Sequence, residues 1–455
     1  MRNKRKLKCK KGFTLIEALV LLFIFSVMTV TFYKVFASGT SLILETKKRL
    51  AAIGVVNERM ELIRSLAYEE IGTDGGVPGG NINSDEYIAS GNYQFHVITD
   101  IRYFDDEEDG TEGGSPDDDT PNDYKFVSVM ALWGEETDGQ KVSLSSSIAP
   151  FGTEEAVSGG TLSISVIDID GAPVSSAAVN IANGSVVPAI NQTFIAGNGS
   201  VSIPALPVSE QKYVVTVSKS GYENVSTFPP YPTSAYYPTD VHNSVVGGMI
   251  TNSVIVASKL SDIEIRFRNA YGESIGNVNF GLEGGRVLGT DDVGALVYNY
   301  NEALESDGSG VKSISNISPG QYTVSVSESG YHFWKTDAGI GNEAGEIIVG
   351  QGESGAVKNI ILLDESKDSY FLRVTDSVTG KSIENASVKL SNIALVYEET
   401  VDTDEYGYVF FPDALSKELI GGEIYDVEIT ADGYNAENTT VEINQLVTGG
   451  ISLSP

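Results

Sequence analysis

The chain has 455 residues, and its 62 acidic side chains outnumber its 30 lysines and arginines, which gives a formal net charge of −32. A surface this acidic argues against nucleic acid and anionic lipid headgroups as partners. The only cysteine is Cys9, which excludes a disulfide framework, so a chain of this length must rest on several hydrophobic cores or on bound ions.

The N-terminal segment places a basic leader directly before a long apolar run. The leader, residues 1–12, contains seven basic residues and no acid, and the run from Phe13 to Tyr33 is 21 residues with a single charge, Glu17. At ~1.5 Å per residue, a helix over this run would be about 31 Å long and could cross the hydrocarbon core of a bilayer. We expect this run to form a single span, with residues 13–37 in the membrane. Because positively charged flanks stay on the cytoplasmic side, the C-terminal region would lie outside.

The order of these features differs from that of an ordinary secretory signal, whose cleavage site follows the apolar region. Here "KGFTLIE", residues 11–17, comes before it. The segment resembles the class III signal of type IV prepilins and of the related pseudopilins of type II secretion and competence systems. This resemblance implies that a prepilin peptidase cuts after Gly12, that Phe13 becomes the N-methylated first residue, and that Glu17 is the fifth mature residue.

Glu17 is unusual because an acid inside a membrane helix is costly and normally has a partner. The nearest candidate is the free amine of Phe13, and the resemblance implies the amine of a neighbouring subunit, which makes Glu17 an assembly residue. Two alternatives stay open. Glu17 could be a tolerated acid that reaches the headgroups, or the apolar run could be an ordinary signal peptide cleaved after Ala37.

Helical spacing of apolar residues continues past the membrane, so the sequence predicts one helix over 13–68. The glycine-rich stretch at 72–80 ends it. Alternating runs at 87–103, 124–133 and 141–148 predict a small antiparallel sheet. Residues 69–150 would therefore form an α+β head folded on the outer half of a long N-terminal helix, as in pilins.

Ten carboxylates lie between Asp105 and Asp123. The segment begins like an EF-hand loop, but its twelfth position is Pro116, so it is not one. Two interpretations remain: a solvated acidic loop, or a calcium site of another kind, calcium being the one cofactor considered. The candidate calcium ligands are Asp105, Glu107, Asp109, Asp117, Asp119 and Asp123.

After a linker at 151–160 the sequence pattern becomes typical of strands, and one pattern occurs in three consecutive copies. We call these repeats unit 1 (161–260), unit 2 (261–366) and unit 3 (367–455). In each unit a tyrosine precedes the glycine of a Gly-Tyr pair by eight residues. These pairs are Tyr213 and Gly221, Tyr322 and Gly330, and Tyr425 and Gly433. Three matches in one register indicate an internal repeat.

The repeat resembles the carboxypeptidase regulatory-like (transthyretin-like) domains and their relatives, the Cna-B domains of adhesins. The resemblance implies mainly-β tandem Ig-like sandwiches, and each unit has the length of one. Many Cna-B domains form a Lys–Asn crosslink from a lysine in the first strand, but no first strand here contains lysine. We expect each unit to fold alone around its tyrosine, with little contact across the joints at Ser261 and Asp368.

The sequence contains no recognisable catalytic motif, and its three histidines lie in separate segments, so we expect a protein that is not an enzyme. Candidate ligand contacts, to a surface protein or a glycan, are Tyr231, Tyr236 and Tyr237 in the 228–242 loop, and Trp334. The alternatives are that these tyrosines cover the edge of their own sandwich and that Trp334 fills a core.

Together these features predict a minor subunit, at the tip or in low abundance, of a type IV pilus or related filament, with the β-sandwiches as an arm for display or adhesion. Other pilins or pseudopilins would be its assembly partners. The protein would begin in the cytoplasmic membrane and end in an extracellular filament or at the cell surface. The alternatives are a pseudopilin of a secretion or competence system and a membrane-anchored adhesin that does not polymerise.

Overall fold

The computed structural model describes residues 15–106, 110, 122–134, 140–151, 159–336 and 345–455. It begins with one long helix, α1 (Leu15–Arg64), and continues as strands apart from a short 3-10 turn at Tyr68–Glu70. The fold is therefore one long apolar helix followed by mostly β-sandwich domains, as the sequence predicts.

Helix α1 has two halves with different surroundings. Side chains from Leu15 to Leu50 are exposed, apart from half-buried Glu45 and Lys48. By length and composition α1 is the one helix in the described residues that could cross a membrane. The outer half buries one face against the head; its buried residues are Ala52, Val55, Val56, Met60 and Ile63. The helix ends at Arg64, earlier than predicted, because the chain turns extended before the 3-10 turn.

The head is an antiparallel sheet in the order β1-β2-β3-β4. Its strands are β1 (Asp85–Ser90), β2 (Tyr93–Phe104), β3 (Tyr124–Trp133) and β4 (Gln140–Ile148). The single run predicted over 87–103 is wrong, because it contains a hairpin whose two-residue loop is Gly91-Asn92. Gly91 has a φ of 61°, which favours glycine in such a turn. The inner face of the sheet packs on the buried face of α1.

The three units contain the remaining strands. Unit 1 contributes β5 (Gly160–Ile167), β6 (Ala177–Asn183), β7 (Ile190–Ala196), β8 (Ser200–Leu206), β9 (Ser209–Ser218), β10 (Val225–Ser226), β11 (Tyr237–Pro238), β12 (Asn243–Val245) and β13 (Ile250–Val256). Unit 2 contributes β14 (Ser261–Asn269), β15 (Asn279–Thr290), β16 (Leu296–Glu305), β17 (Val311–Ile317), β18 (Gly320–Val326), β19 (Tyr331–Thr336), β20 (Glu346–Val349) and β21 (Ser354–Asp364). Unit 3 contributes β22 (Ser369–Asp376), β23 (Ser387–Asn392), β24 (Tyr397–Asp402), β25 (Tyr408–Phe411), β26 (Ile424–Thr430), β27 (Glu437–Glu442) and β28 (Leu446–Leu453).

Each unit is built from two sheets, and one pairing recurs in all three. The first strand of the unit lies parallel to its last strand, as β5 with β13, β14 with β21, and β22 with β28. Because these two strands run the same way, the chain enters a unit at one end and leaves it at the other. This arrangement lets the units follow one another end to end.

The repeated tyrosines occupy the same place in three separate cores. Tyr213, Tyr322 and Tyr425 are each 0% exposed. The hydroxyl of Tyr213 donates to the Pro207 carbonyl at 2.6 Å, and that of Tyr322 donates to the Ser318 carbonyl at 2.7 Å. Each ring belongs to the hydrophobic cluster of its own unit. The sequence-based placement of these tyrosines in sandwich cores is confirmed.

The head buries a basic side chain, Lys125 on β3, which is 2% exposed. Its ammonium donates to the Tyr68 and Ile71 carbonyls, at 2.7 Å each, beyond the end of α1. Burial lowers the pKa of Lys125 from 10.5 to about 8, and Glu69 opposes part of this shift. Lys125 thus fixes the segment that follows α1 to strand β3.

We expect Lys125 to make the head more stable as the pH rises above 8. Between pH 8 and 10.5 the folded head releases this proton before the unfolded chain does, so the unfolded state binds more protons and stability increases. The gain should be about 2 kcal/mol by pH 9.5. It can be measured by urea unfolding, followed by Trp133 fluorescence in a Trp334→Phe background. Lys125→Met should lose the rise, the exposed-lysine control Lys141→Met should keep it, and identical pH curves for both would contradict the assignment.

Candidate assembly helix and interaction sites

The first half of α1 is the predicted assembly site. Gly12 and Phe13, the predicted processing residues, lie outside the described residues. Glu17 lies in the first turn of α1 and is exposed, where the positive end of the helix dipole favours a carboxylate. The exposed side chains from residue 18 to residue 33 carry no charge and are mostly apolar on every side of the helix. Such a surface fits lipid or other apolar helices, not water.

The second half of α1 is fixed to the head by polar contacts that the sequence analysis did not single out. Glu45 accepts a hydrogen bond from the Trp133 indole nitrogen at 2.8 Å. Arg59 pairs with Glu86 and donates to the Asn83 carbonyl at 3.3 Å. The signal for these residues is weak, because a charged side chain between apolar helix positions normally faces solvent. The contacts orient the head on the assembly helix.

The structure describes the acidic segment at its two ends and at Gly110. The backbone N–H of Asp106 donates to a carboxylate oxygen of Asp123, which closes the base of the segment. Asp105 and Asp123 lie in the described residues, while the predicted ligands Glu107, Asp109, Asp117 and Asp119 lie outside them. Within the described ranges, no group of three or more His, Cys, Asp or Glu side chains is placed to hold a metal ion. Calcium binding stays a prediction.

If the acidic segment binds calcium, the ion will stabilise the folded head by mass action. We therefore expect millimolar CaCl₂ to raise the melting temperature reported by Trp133, in the Trp334→Phe background, above that in NaCl of equal ionic strength. The double variant Asp105→Asn, Asp123→Asn should reduce this difference. Equal melting temperatures in the two salts would favour the solvated loop.

The 228–242 loop contacts unit 2 in addition to its own unit. Tyr237 and Pro238 form β11, which pairs with Thr290 and Gly289 of β15. Tyr231 stacks on Tyr237 with ring centroids 4.2 Å apart. For Tyr237 the alternative of covering the edge of its own sandwich is wrong, because β11 extends the sheet of the next unit.

The four candidate contact residues differ in accessibility. Tyr231 is 42% and Tyr237 is 50% exposed, while Tyr236 is half-buried and packs edge-on against Phe228, with centroids 5.7 Å apart. Ligand contact through the exposed faces of Tyr231 and Tyr237 stays a prediction. No ligand is defined by their geometry alone.

Trp334 lies in the joint between units 2 and 3. Its ring centroid is 5.6 Å from those of both Phe371 and Phe410, which belong to unit 3. It is half-buried and is not part of the core cluster of unit 2. The alternative that Trp334 fills the core of its own sandwich is therefore wrong, and its use as a ligand contact stays a prediction.

A cleft of about 750 Å³ opens at the same joint between units 2 and 3, lined by a mixture of polar and apolar side chains from both units.

The three histidines lie in different parts of the fold. His96 pairs with Asp85 in the head, His242 contacts Thr227 in unit 1, and His332 packs on Phe371. They do not converge on one site.

Comparisons with known proteins find a family match in the N-terminal segment of the chain. The model of the prokaryotic N-terminal methylation motif matches residues 7–33. No curated protein matches this chain significantly. The similarity thus covers the second half of the leader and the first part of α1, where sequence reasoning placed the processing and assembly residues.

Solved structures with similarity include the Bacillus anthracis TIE protein, at 16% identity and a TM-score of 0.20, covering 82% of this chain and 74% of that one. A streptococcal ancillary pilin has 12% identity and a TM-score of 0.18, with 65% and 98% covered. GBS52, the minor pilin of Streptococcus agalactiae, has 14% identity and a TM-score of 0.17, with 43% and 95% covered. TM-scores this low do not support a functional argument. The methylation motif at residues 7–33, followed by a long apolar helix and β-sandwich domains, makes this chain pilin-like in organisation.

Proposed function

We propose that this chain is a minor subunit of a type IV pilus or a related filament, and that units 1–3 form an arm for surface display or adhesion. The observation that carries this proposal is the combination of the methylation motif at 7–33 with a helix whose residues 15–33 are exposed and, apart from Glu17, uncharged and mostly apolar. Such a helix needs lipid before assembly and other helices afterwards. The role is structural and not enzymatic.

The size of the arm favours the tip of the filament or a low-abundance position. Only residues 69–150 form the head that packs on α1, and units 1–3 add nearly 300 residues beyond it. Subunits along a shaft are surrounded by neighbours on all sides, so an arm of this size in every subunit would obstruct lateral packing. At a tip, the arm is unobstructed.

Filaments sheared from the cell surface test the proposal directly. We expect the chain in the filament fraction, at far lower abundance than the major subunit, and antibodies to unit 3 should label filament ends. Retention of all the protein in the envelope, together with impaired secretion on deletion, would favour a pseudopilin. Display at the surface without filaments would favour a non-polymerising adhesin, and either outcome would overturn the proposal.

Glu17→Val should block incorporation into filaments while leaving membrane insertion and cleavage intact. The variant removes the carboxylate that would pair with the amine of a neighbouring subunit, and it keeps the span apolar. The matched control is Ser26→Val, because Ser26 is also exposed in the span but bonds only to the Phe23 carbonyl of its own helix. The readout is the ratio of filament-bound to membrane-bound protein. Normal assembly of Glu17→Val would show that the acid is merely tolerated.

A further inference from the structure

We propose that the head and the three units form one rigid arm, because a specific clamp fixes each of its three joints. The sequence predicts little contact across the joints of the units, and tandem domains usually move relative to one another unless their interface is extensive. The structure contradicts the prediction of little contact, because residues of neighbouring units contact each other at every joint. The segments that form the clamps include two glycine- and proline-rich stretches that are typical of loops.

The first clamp joins the head to unit 1 through the glycine-rich stretch at 72–80. Val77 from this stretch is buried in the hydrophobic cluster of unit 1. Its backbone N–H donates to the Gln192 side chain at 2.7 Å, and the Asn191 N–H donates to the Gly75 carbonyl at 2.7 Å. The same glutamine donates to the Ile101 carbonyl of β2 at 3.4 Å. The head therefore supplies part of the core of its neighbour.

The second clamp joins unit 1 to unit 2 through the 228–242 loop. Besides the pairing of β11 with β15, the Thr239 N–H donates to the Leu288 carbonyl at 2.9 Å. Asp240 accepts a hydrogen bond from the Arg286 guanidinium at 3.2 Å, and both side chains are mostly shielded from solvent. Burial raises the pKa of Asp240 and the adjacent Arg286 opposes this rise. Backbone pairing and a shielded ion pair together resist rotation about the joint.

Residue 289 shows how closely the loop is seated on unit 2. A Cβ added at Gly289 would lie 2.1 Å from the Tyr237 carbonyl oxygen and 2.9 Å from the Pro238 Cα. Both neighbours are backbone atoms of the loop, and a backbone cannot yield as a flexible side chain can. A larger residue at position 289 must therefore displace β11 from β15.

The third clamp joins unit 2 to unit 3 through aromatic contacts. Trp334 lies between Phe371 and Phe410, the Tyr271 hydroxyl donates to the Pro412 carbonyl at 3.2 Å, and Lys335 pairs with Asp404 at 3.3 Å. Phe371 is buried but is not part of the core cluster of unit 3. Its ring instead packs against Trp334 in the joint.

Distances between spin labels on the full-length chain in nanodiscs test the proposal. Cys9 can be replaced by serine, and because no other cysteine exists, Ile195→Cys, Ala303→Cys and Ile424→Cys place labels on exposed strand positions of units 1, 2 and 3. A further label at Ser143→Cys, an exposed position on β4 of the head, covers the first joint. Double electron–electron resonance should give one narrow distance for each of the 143–195, 195–303 and 303–424 pairs. Broad distributions in the otherwise unaltered chain would overturn the proposal.

Gly289→Val should eliminate the narrow 195–303 distance and leave the 303–424 distance unchanged, because the substitution expels only the 228–242 loop. The matched control is Gly308→Val, also in unit 2, where an added Cβ meets nothing within 4 Å. Phe371→Ala should broaden only the 303–424 distribution, and hydrogen exchange of the strands of units 2 and 3 reports whether both units remain folded. A narrow 195–303 distance in folded Gly289→Val would show that the loop is not the clamp.

Discussion

Replacing Tyr425 with alanine should destabilise unit 3 by about 3–5 kcal/mol, as for other large buried aromatic side chains. The ring is 0% exposed, packs edge-on against Tyr397 with centroids 5.4 Å apart, and its hydroxyl accepts a hydrogen bond from the Ile420 N–H at 2.9 Å. Alanine would leave a cavity that the surrounding sheets can fill only in part. The loss is a large fraction of the stability of a domain of this size.

The measurement is hydrogen exchange of the full chain in increasing urea, with peptides resolved by mass spectrometry. Peptides from β22–β28 should lose protection at a lower urea concentration in Tyr425→Ala, while those from unit 1 should be unchanged. Tyr425→Phe keeps the ring and should cost only about 1 kcal/mol, for the lost hydrogen bond. A silent Tyr425→Ala, or equal loss of protection in all three units, would show that the repeat register is wrong.

Gly12→Val should leave the chain as an uncut precursor that does not assemble. The resemblance to prepilins implies that the peptidase must reach the bond before Phe13, and a β-branched side chain on the preceding residue would obstruct that approach. The unaltered chain should yield an N-methylated Phe13 at the mature N-terminus. Mass spectrometry of the intact protein distinguishes the two forms, because the precursor retains residues 1–12.

Gly12→Ala is the matched control, since a small residue should still permit cleavage. The informative comparison is between valine and alanine at the same position, with membrane insertion verified for both. A mature chain that begins at Ser38 in any variant would indicate an ordinary signal peptide and would overturn the prepilin interpretation altogether.

Much of the architecture could be predicted because its signals are local. An apolar run with one acid defines α1, and alternation with period two defines strands such as β2 and β3. The eight-residue spacing from Tyr213 to Gly221 recurs because each sandwich needs the same bulk at the same place in its core. The missed hairpin at Gly91-Asn92 also had a local signal, since a glycine-containing two-residue loop between alternating runs is typical of a hairpin.

The joints could not be predicted because their contacts are not local. β11 is two residues long, too short for any periodicity, and its partner Gly289 is about 50 positions away. Val77 lies in a glycine-rich stretch that is typical of a loop, yet it packs in the core of unit 1. Trp334 contacts residues of the following unit. In each case the partner is set by how two units meet, which the pattern within one unit does not encode.

The parallel pairing of first and last strands has a mechanical consequence. If the arm is pulled between the membrane and a bound partner, the two ends of a unit are drawn apart along its strands. In unit 1 the force then acts in opposite directions on β5 and β13, which are paired along the whole of β13. Their hydrogen bonds are loaded in shear and must break together, whereas strands pulled apart at one end unzip one bond at a time. Unit 2 has the same parallel pairing between β14 and β21, so in the proposed arm both units would resist tension in this way.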